Sequence, residues 1–219
     1  MERYGRCIRK WDEVFAAEAP DVPQSAESGN ATLDAAFDWL AEKAQDVLDF
    51  GCGNGVALFY CALRGTSRHT GIDLSARAIE SARLRAEKMP CGAYRFLCGG
   101  VEAMEQVPDE SMDAAIFSNI LDNLYPDDAR RALCQARRIL RPGARALIKL
   151  NPYITREQQA AWGVRTIEDD LLDDGLLLWN NTDERWREVI GERLEIVQEY
   201  DVFYAGYDQH NRLFLAEKR

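Results

Sequence analysis

The stretch DVLDFGCGNGVALFYCAL, residues 46–63, decides the fold, because it joins a strand pattern to a helical pattern through clustered glycines. An apolar run ends at Phe50, glycines occupy positions 51, 53 and 55, and an apolar-periodic segment follows. Glycines at the carboxyl end of a strand let the main chain turn sharply and let a ligand lie against it. The stretch therefore predicts a ligand-binding loop between a parallel strand and the next helix.

Strand and helix patterns alternate on both sides of this loop. The patterns predict strands over 46–50, 69–74, 93–99, 112–119 and 144–150, and helices over 31–44, 55–64, 75–89 and 126–140, after a short helix over 10–19. Asn30, Ser75 and Thr182 are predicted N-caps, and Arg-Pro-Gly at 141–143 is a predicted turn. Repeated strand–helix units with short connections indicate an α/β fold, with a parallel sheet covered by helices on both faces.

The last third of the chain departs from this rhythm. Residues 155–175 are predicted to be helix and loop, and 182–191 a helix. Two strand patterns, 194–205 and 211–219, flank a segment with hairpin composition. We therefore expect a terminal antiparallel hairpin that closes the sheet.

The net charge and the cysteine pattern argue against several classes of function and partner. The net charge of −10 argues against a basic face for nucleic acid, so no nucleic-acid partner is expected. No apolar run reaches the roughly 18 residues of a membrane-spanning helix, and the charged N-terminal segment lacks a signal-peptide core. The six cysteines form no CxxC pair, so no metal site is expected and free thiols are favoured. These features predict a cytoplasmic protein without a membrane partner; they indicate no particular oligomeric state.

The glycine spacing discriminates between nucleotide-binding loops. The glycines read G-x-G-x-G, whereas a dinucleotide fingerprint reads G-x-G-x-x-G, and no Gly-Lys-Ser/Thr of a P-loop follows. Asp49 would repel a pyrophosphate but could hold an ammonium group, directly or through water. Asp73, at the tip of the second strand, is placed to take both hydroxyls of a ribose, although it could also cap a helix.

At this point the chain resembles the class I S-adenosylmethionine-dependent methyltransferases. The resemblance covers roughly residues 30–150 and is carried by VLDFGCGNG (47–55), GIDLS (71–75), DAAIFSNILDNL (113–124) and RRILRPGARALIKL (137–150). It implies a Rossmann-like, seven-stranded, mostly parallel sheet with an antiparallel terminal hairpin. It also implies S-adenosyl-L-methionine as cofactor, and a methyl group transferred by in-line displacement.

The resemblance further implies which residues bind the cofactor. The glycine loop with its preceding acid would line the methionine half, Asp73 would hold the ribose, and Leu74 would pack on the adenine. Gly100 stands where the family usually has an acid for the adenine amine, so Glu102 or the main chain of Val101 would substitute. The cofactor-binding set expected from the resemblance is Asp49, Gly51, Cys52, Gly53, Gly55, Asp73, Leu74, Val101, Glu102 and Asn119.

The acceptor side is predicted from the segments that flank this core. Residues 1–30 resemble a lid helix with a connector, 31–219 would be the methyltransferase domain, and 151–192 its acceptor-pocket insertion. A small-molecule acceptor is expected; its candidate contacts are Trp11, Tyr125 and Tyr153, with Asp122 as a candidate general base. Trp11 could instead simply pack the lid helix. Two other functions stay open: a non-catalytic cofactor- or partner-binding protein of the same fold, and an NAD(P)-dependent oxidoreductase.

Overall fold

The computed structural model describes residues 2–16, 21–173 and 175–219. The helices are α1 (Gly5–Ala16), α2 (Ala31–Ala41), α3 (Val56–Leu63), α4 (Ala76–Ala86), α5 (Pro126–Ile139), α6 (Arg156–Trp162) and α7 (Asp183–Gly191), with 3₁₀ turns at Glu2–Tyr4, Val101–Gln106 and Leu121–Asn123. The strands are β1 (Asp46–Phe50), β2 (Arg68–Asp73), β3 (Ala93–Cys98), β4 (Met112–Ser118), β5 (Leu140–Leu150), β6 (Arg165–Glu168), β7 (Leu171–Asp173), β8 (Leu177–Trp179), β9 (Glu195–Tyr204) and β10 (Gln209–Glu217).

Seven strands form one sheet in the order β3-β2-β1-β4-β5-β10-β9. The first five are parallel, and β10 pairs antiparallel with both β5 and β9. The predicted mostly parallel sheet with an antiparallel terminal hairpin is therefore confirmed. The order reverses at β1 and β4, and at such a switch point the carboxyl ends of parallel strands open a crevice.

Local sequence explains where several helices begin. Asn30, Ser75 and Thr182 each accept a backbone N–H from the first turn of α2, α4 and α7, as the sequence predicts. Both faces of the sheet are buried, one under a cluster that includes the fully buried Trp186 and the other under α2, α3 and α4. This burial on two sides explains the near-continuous apolar runs of the inner strands.

The structure differs from the sequence-based predictions in three places. The segment predicted as helix and loop contains α6 but also β6 and β7, which form a three-stranded antiparallel sheet with the adjoining β8; the apolar runs are too short for periodicity to reveal a strand. The predicted turn at 141–143 lies inside β5, where the pairing with β4 is irregular and Gly143 has φ +77°. Helix α1 starts at Gly5 rather than Lys10, and its predicted end at Ala19 lies outside the described residues.

Two absences concern the described part of the chain alone. None of its helices combines the length and hydrophobicity needed to cross a bilayer. Within the same residues, His, Cys, Asp and Glu side chains form no cluster of metal-ligand size.

Candidate functional site

The glycine loop lies at the carboxyl end of β1, where the sheet order reverses. Gly51, Gly53 and Gly55 have φ angles of +78°, +51° and +84°, a region that L side chains rarely adopt. A Cβ on Gly51 would lie 2.6 Å from Cγ1 of Ile120. The N–H groups of Gly51 and Cys52 donate to the Ile72 carbonyl, at 2.8 and 3.0 Å. The loop therefore needs glycine for both its backbone conformation and its packing.

Asp73, at the tip of β2, is joined to this loop. Its Oδ2 accepts the Gly53 N–H at 2.9 Å and its Oδ1 accepts the Ser75 N–H at 2.8 Å. Burial raises the pKa of this carboxyl, while the two backbone hydrogen bonds act to lower it. Because each carboxylate oxygen has more than one lone pair, both retain capacity toward the adjoining cavity.

Helix α1 covers the crevice and encloses a cavity of about 850 Å³ that includes its open mouth. Tyr4, Ile8, Trp11 and Phe15 of this N-terminal segment line the cavity at helical spacing. The ring of Phe15 lies on Gly53, where an added Cβ would approach it to 2.9 Å. The roof of the cavity is therefore aromatic and apolar, and its floor is the glycine loop.

Three polar contacts fix α1 over the cavity. Asp12 accepts the Ser75 hydroxyl at 2.5 Å, which links the roof to the start of α4. Arg3 donates to Asp128 at 2.6 Å, and Arg6 pairs with Asp173 of β7. The roof is thus held by side chains from the start of α4, from α5 and from the small sheet.

Several of the sequence-predicted site residues meet at this cavity. Gly51, Gly53, Asp73, Leu74, Asn119 and Trp11 all line it. Asn119 adopts φ +53°, which asparagine tolerates better than most residues, and its N–H donates to the Lys149 carbonyl at 2.7 Å. The turn after β4 therefore aims Asn119 at the crevice.

Other predicted residues lie outside the lining of this cavity. Cys52 and Gly55 pack beneath the loop, where an added Cβ on Gly55 would meet Phe59 at 3.1 Å. Val101 is buried, and Glu102 turns back to accept the Gly100 N–H at 3.1 Å. These four residues shape the loop and the following turn rather than the cavity surface.

Asp49 is the most buried acid beneath the loop. It is 2% exposed, and among the described residues its Oδ1 has no hydrogen-bond partner. Burial, with the charge of Asp73 as a smaller cause, raises its pKa to about 8. The carboxyl is therefore protonated in the folded protein over much of the range in which an exposed aspartate is charged.

This shift predicts an unusual dependence of stability on pH. Between about pH 4 and pH 8 the folded chain keeps the Asp49 proton that the unfolded chain has lost, so the free energy of unfolding falls as pH rises through that window. Asp49→Asn is expected to flatten this fall and to add on the order of 2–4 kcal/mol at pH 8. Urea unfolding across pH 5–9 measures it.

Asp46, on the same strand, is the control with the opposite sign. Its hydrogen bond to Arg68 lowers its pKa, so it stabilises the fold at neutral pH and loses that contribution as pH falls through the lowered value. Asp46→Asn should therefore destabilise at pH 7, with a deficit that shrinks in acid. If the free energy of unfolding of Asp49→Asn fell with rising pH as steeply as that of the unmodified chain, the burial argument would be contradicted.

The candidate base and acceptor contacts are distributed around the cavity. Asp122 is fully buried, its Oδ2 accepts the Asn151 N–H at 2.6 Å, and burial raises its pKa to about 6. Tyr125 lies outside the cavity, with its N–H on the hydroxyl of Tyr4 at 3.1 Å. Tyr153 lines a neighbouring cleft instead. Asp122 thus touches neither space and holds the chain that leaves β5.

Sequence reasoning missed some of the lining. Leu176 and Leu177 line the cavity, and they belong to or adjoin β8, a strand the sequence did not predict. Ile8 had a usable signal, since its spacing from Tyr4, Trp11 and Phe15 puts all four on one helical face. The leucines had none, because the small sheet is assembled by pairing rather than by local pattern.

Comparison with known proteins identifies a matching domain model and several relatives. Residues 48–148 match the family model described as a methyltransferase domain. The chain is 34% identical over 108 residues to the O-methyltransferase cnsE of Penicillium expansum, covering 48% of this chain and 38% of that protein. It is 28% identical over 109 residues to the tRNA N(3)-cytidine methyltransferase METTL2 of Mus musculus, covering 47% of this chain and 28% of that protein. The chain thus spans well under half the length of these relatives.

A solved structure shares the fold over nearly the whole chain. The 1,6-didemethyltoxoflavin-N1-methyltransferase of Burkholderia thailandensis, with bound 1,6-didemethyltoxoflavin and S-adenosylhomocysteine, superposes with a TM-score of 0.70 at 19% identity. The match covers 99% of this chain and 89% of the other. The domain match, the strand order and the glycine loop agree, and residues 48–148 form a methyltransferase domain similar to those of the class I S-adenosylmethionine-dependent methyltransferases.

Proposed function

We propose that this protein is a cytoplasmic enzyme that transfers a methyl group from S-adenosylmethionine to a small-molecule acceptor. One observation carries the proposal: the left-handed glycine loop and Asp73 share a hydrogen bond at the switch point of the sheet, under an aromatic roof. The six cysteines are all free thiols, which is typical of the reducing cytoplasm.

The residues at the cavity fit the cofactor. The glycine loop offers bare main chain for the methionine half, and Asp73 offers carboxylate oxygens for the two ribose hydroxyls. Leu74 supplies an apolar surface for the adenine, and the rings of Trp11 and Phe15 suit a nearby cationic sulfur. The bound cofactor supplies a methyl group that is already activated. Asp49, Cys52, Gly55, Val101 and Glu102 are proposed to support this site from beneath.

The chain's own residues then align the acceptor and exclude water. Asn119 is proposed to face the methyl group, since it lines the cavity from the end of β4. Asp122 is proposed to act as a positioning residue rather than a base, because it is buried against the Asn151 N–H. Residues 151–192 are proposed as the acceptor insertion, with Tyr153 on its surface and Tyr125 behind the roof.

A small acceptor is favoured by the largely apolar and aromatic lining of the cavity, which includes no Lys or Arg among the described residues, and by the net charge of −10. The Burkholderia structure, by its title, holds a small molecule beside S-adenosylhomocysteine, whereas the mouse relative is named for tRNA. Both acceptor classes therefore belong in the test.

The test is release of S-adenosylhomocysteine when the full chain is given S-adenosylmethionine with pools of small-molecule acceptors, with tRNA, or with protein extract. We expect turnover with a small-molecule pool and none with Asp73→Ala. Turnover with tRNA or protein alone would overturn the acceptor class. Cofactor binding without turnover on any pool would favour the non-catalytic alternative, and NADH binding would favour the oxidoreductase.

The roof predicts how fast cofactor leaves. Arg3 pairs with Asp127 and Asp128 and stacks on Tyr125, with its guanidinium 4.5 Å from the ring centroid. Arg3→Gln should loosen the roof and speed dissociation of S-adenosylhomocysteine by about 5–10-fold, the equivalent of about 1 kcal/mol. Stopped-flow fluorescence of Trp11 measures this.

Arg9→Gln is the matched control, because Arg9 lies in α1, directly after the 3₁₀ turn that carries Arg3, and makes no ion pair with any described residue. It should leave the dissociation rate unchanged. Equal rates for both variants would mean that α1 does not gate the cavity.

A further inference from the structure

A second cleft adjoins the cofactor cavity. It lies between the segment that follows β5, helix α6 and the β9–β10 turn, and it holds about 1260 Å³ of space including its open mouth. Asn123, Leu176 and Leu177 line both spaces, so the two meet at these three residues. A molecule in this cleft would lie next to the place proposed for the methyl group.

The inner wall of the cleft holds a chain of side-chain amides, each donating to the next oxygen. The donors and acceptors run Gln209 to Asn211 at 2.6 Å, Asn211 to Asn119 at 3.3 Å, Asn119 to Asn151 at 2.9 Å, Asn151 to Asn123 at 3.1 Å, and Asn123 to the Leu177 carbonyl at 2.7 Å. This single direction fixes which end of every amide is oxygen and which is nitrogen. The wall carries no charge at any ordinary pH.

Two side-chain amides at the cleft each have one polar atom that these hydrogen bonds do not use. The Oε1 of Gln158 accepts the Thr155 N–H at 2.8 Å in the capping box of α6, and the Nε2 of Gln209 donates into the amide chain. Among the described residues, no partner is present for Gln158 Nε2 or for Gln209 Oε1. Since both residues are half-buried and line the cleft, it offers one N–H donor and one carbonyl acceptor.

The lips of the cleft are aromatic. Tyr153, Trp162 and Tyr207 line it with exposures of 40%, 61% and 83%, which is unusual for large rings. Its carboxylate and imidazole, Asp208 and His210, lie on the outer hairpin, where His210 Nδ1 is 2.7 Å from Asp201. Apart from Asp208 and His210, the side chains that line the cleft are uncharged.

We propose that this cleft binds the methyl acceptor, and that the acceptor is an uncharged planar ring carrying both a hydrogen-bond donor and an acceptor, such as a lactam-type heteroaromatic. The ring of the ligand stacks on the aromatic side chains at the rim of the cleft. Its hydrogen-bond donor pairs with Gln209 Oε1, and its acceptor pairs with Gln158 Nε2. A charged ring would have to lose water against a wall of neutral amides. That the ring is the methyl acceptor rests on the proposed function, whereas its binding in the cleft does not.

The experiment uses three flat bicyclic probes of equal size and the full chain without cofactor. The probes are quinolin-2(1H)-one, which is a neutral lactam, 1-methylquinolinium, which is a cation, and quinoline-2-carboxylate, which is an anion. Calorimetry and ligand-observed NMR give their dissociation constants. We expect the lactam to bind at least 10-fold more tightly than either ion.

Gln158→Glu is the decisive variant, because it keeps the oxygen that caps α6 while it replaces the N–H donor with a charged oxygen. It should weaken lactam binding at least 5-fold. Gln198→Glu adds the same charge on the exposed strand β9, outside the cleft, and should change binding less than 2-fold. Trp162→Ala should weaken binding, whereas the exposed Tyr200→Ala on β9 should not.

Three outcomes would overturn the proposal: tighter binding of the cation, equal binding of all three probes, or no binding of the lactam below 1 mM. Because no cofactor is present, none of them bears on methyl transfer. Failure of the chain to bind S-adenosylmethionine would in turn leave the probe result intact, so the two proposals fail separately.

Discussion

Asp73→Ala should abolish measurable binding of S-adenosylmethionine. The carboxylate is expected to hold two ribose hydroxyls, and it also fixes the loop through the Gly53 and Ser75 N–H groups. Hydrogen bonds to a charged group are worth about 1.5–3 kcal/mol each, so losing two predicts a drop in affinity of roughly 100-fold or more. Calorimetric titration with S-adenosylmethionine and S-adenosylhomocysteine measures it.

Two further variants make the result interpretable. Asp201→Ala removes an exposed carboxylate of β9 far from the loop and should bind both ligands normally. Asp73→Asn keeps one acceptor oxygen, which protects against a trivial loss of fold, and should give an intermediate affinity. NADH belongs in the same titration series. Undiminished cofactor affinity in Asp73→Ala would refute the ribose assignment.

Several residues that the sequence predicts for the cofactor meet at one cavity, because local features place them. The glycines, Asp73 and the N-cap Ser75 sit within 25 residues of one another, and parallel pairing of β1 with β2 brings them together at one sheet edge. Strand ends with special residues need only the fold class to be placed. The role of Asp49 was less accessible, since alternation along β1 turns it away from the cavity into a fully buried position.

The asparagine side chains of the amide chain and the leucines of β8 could not be predicted in the same way. Asn119, Asn151 and Asn211 come from three separate strands and meet only after β10 pairs with β5. Their side chains look like ordinary loop and turn residues in the sequence. The leucines of β8 are likewise brought to the cavity by pairing with β7, a contact with no local pattern behind it.

Gly51→Ala should destabilise the protein by about 3 kcal/mol. A left-handed conformation costs an alanine about 1–2 kcal/mol, and the new methyl group would also overlap the side chain of Ile120 at 2.6–3.0 Å, where overpacking costs about 1–3 kcal/mol. For a chain of this size, 3 kcal/mol corresponds to a fall in Tm of about 6–12 °C. Urea and thermal unfolding measure both quantities.

Gly143→Ala separates strain from overlap. Gly143 has φ +77°, nearly the angle of Gly51, but no atom lies within 4 Å of its added Cβ. It should lose only the backbone part, about 1–2 kcal/mol. In the double variant Gly51→Ala/Ile120→Ala the overlap is removed. Its free energy of unfolding should therefore be higher, by about 1 kcal/mol or more, than the sum of the two single losses predicts. Equal losses for Gly51→Ala and Gly143→Ala would show that the loop requires glycine for its conformation alone, and that the contact with Ile120 does not hold it closed.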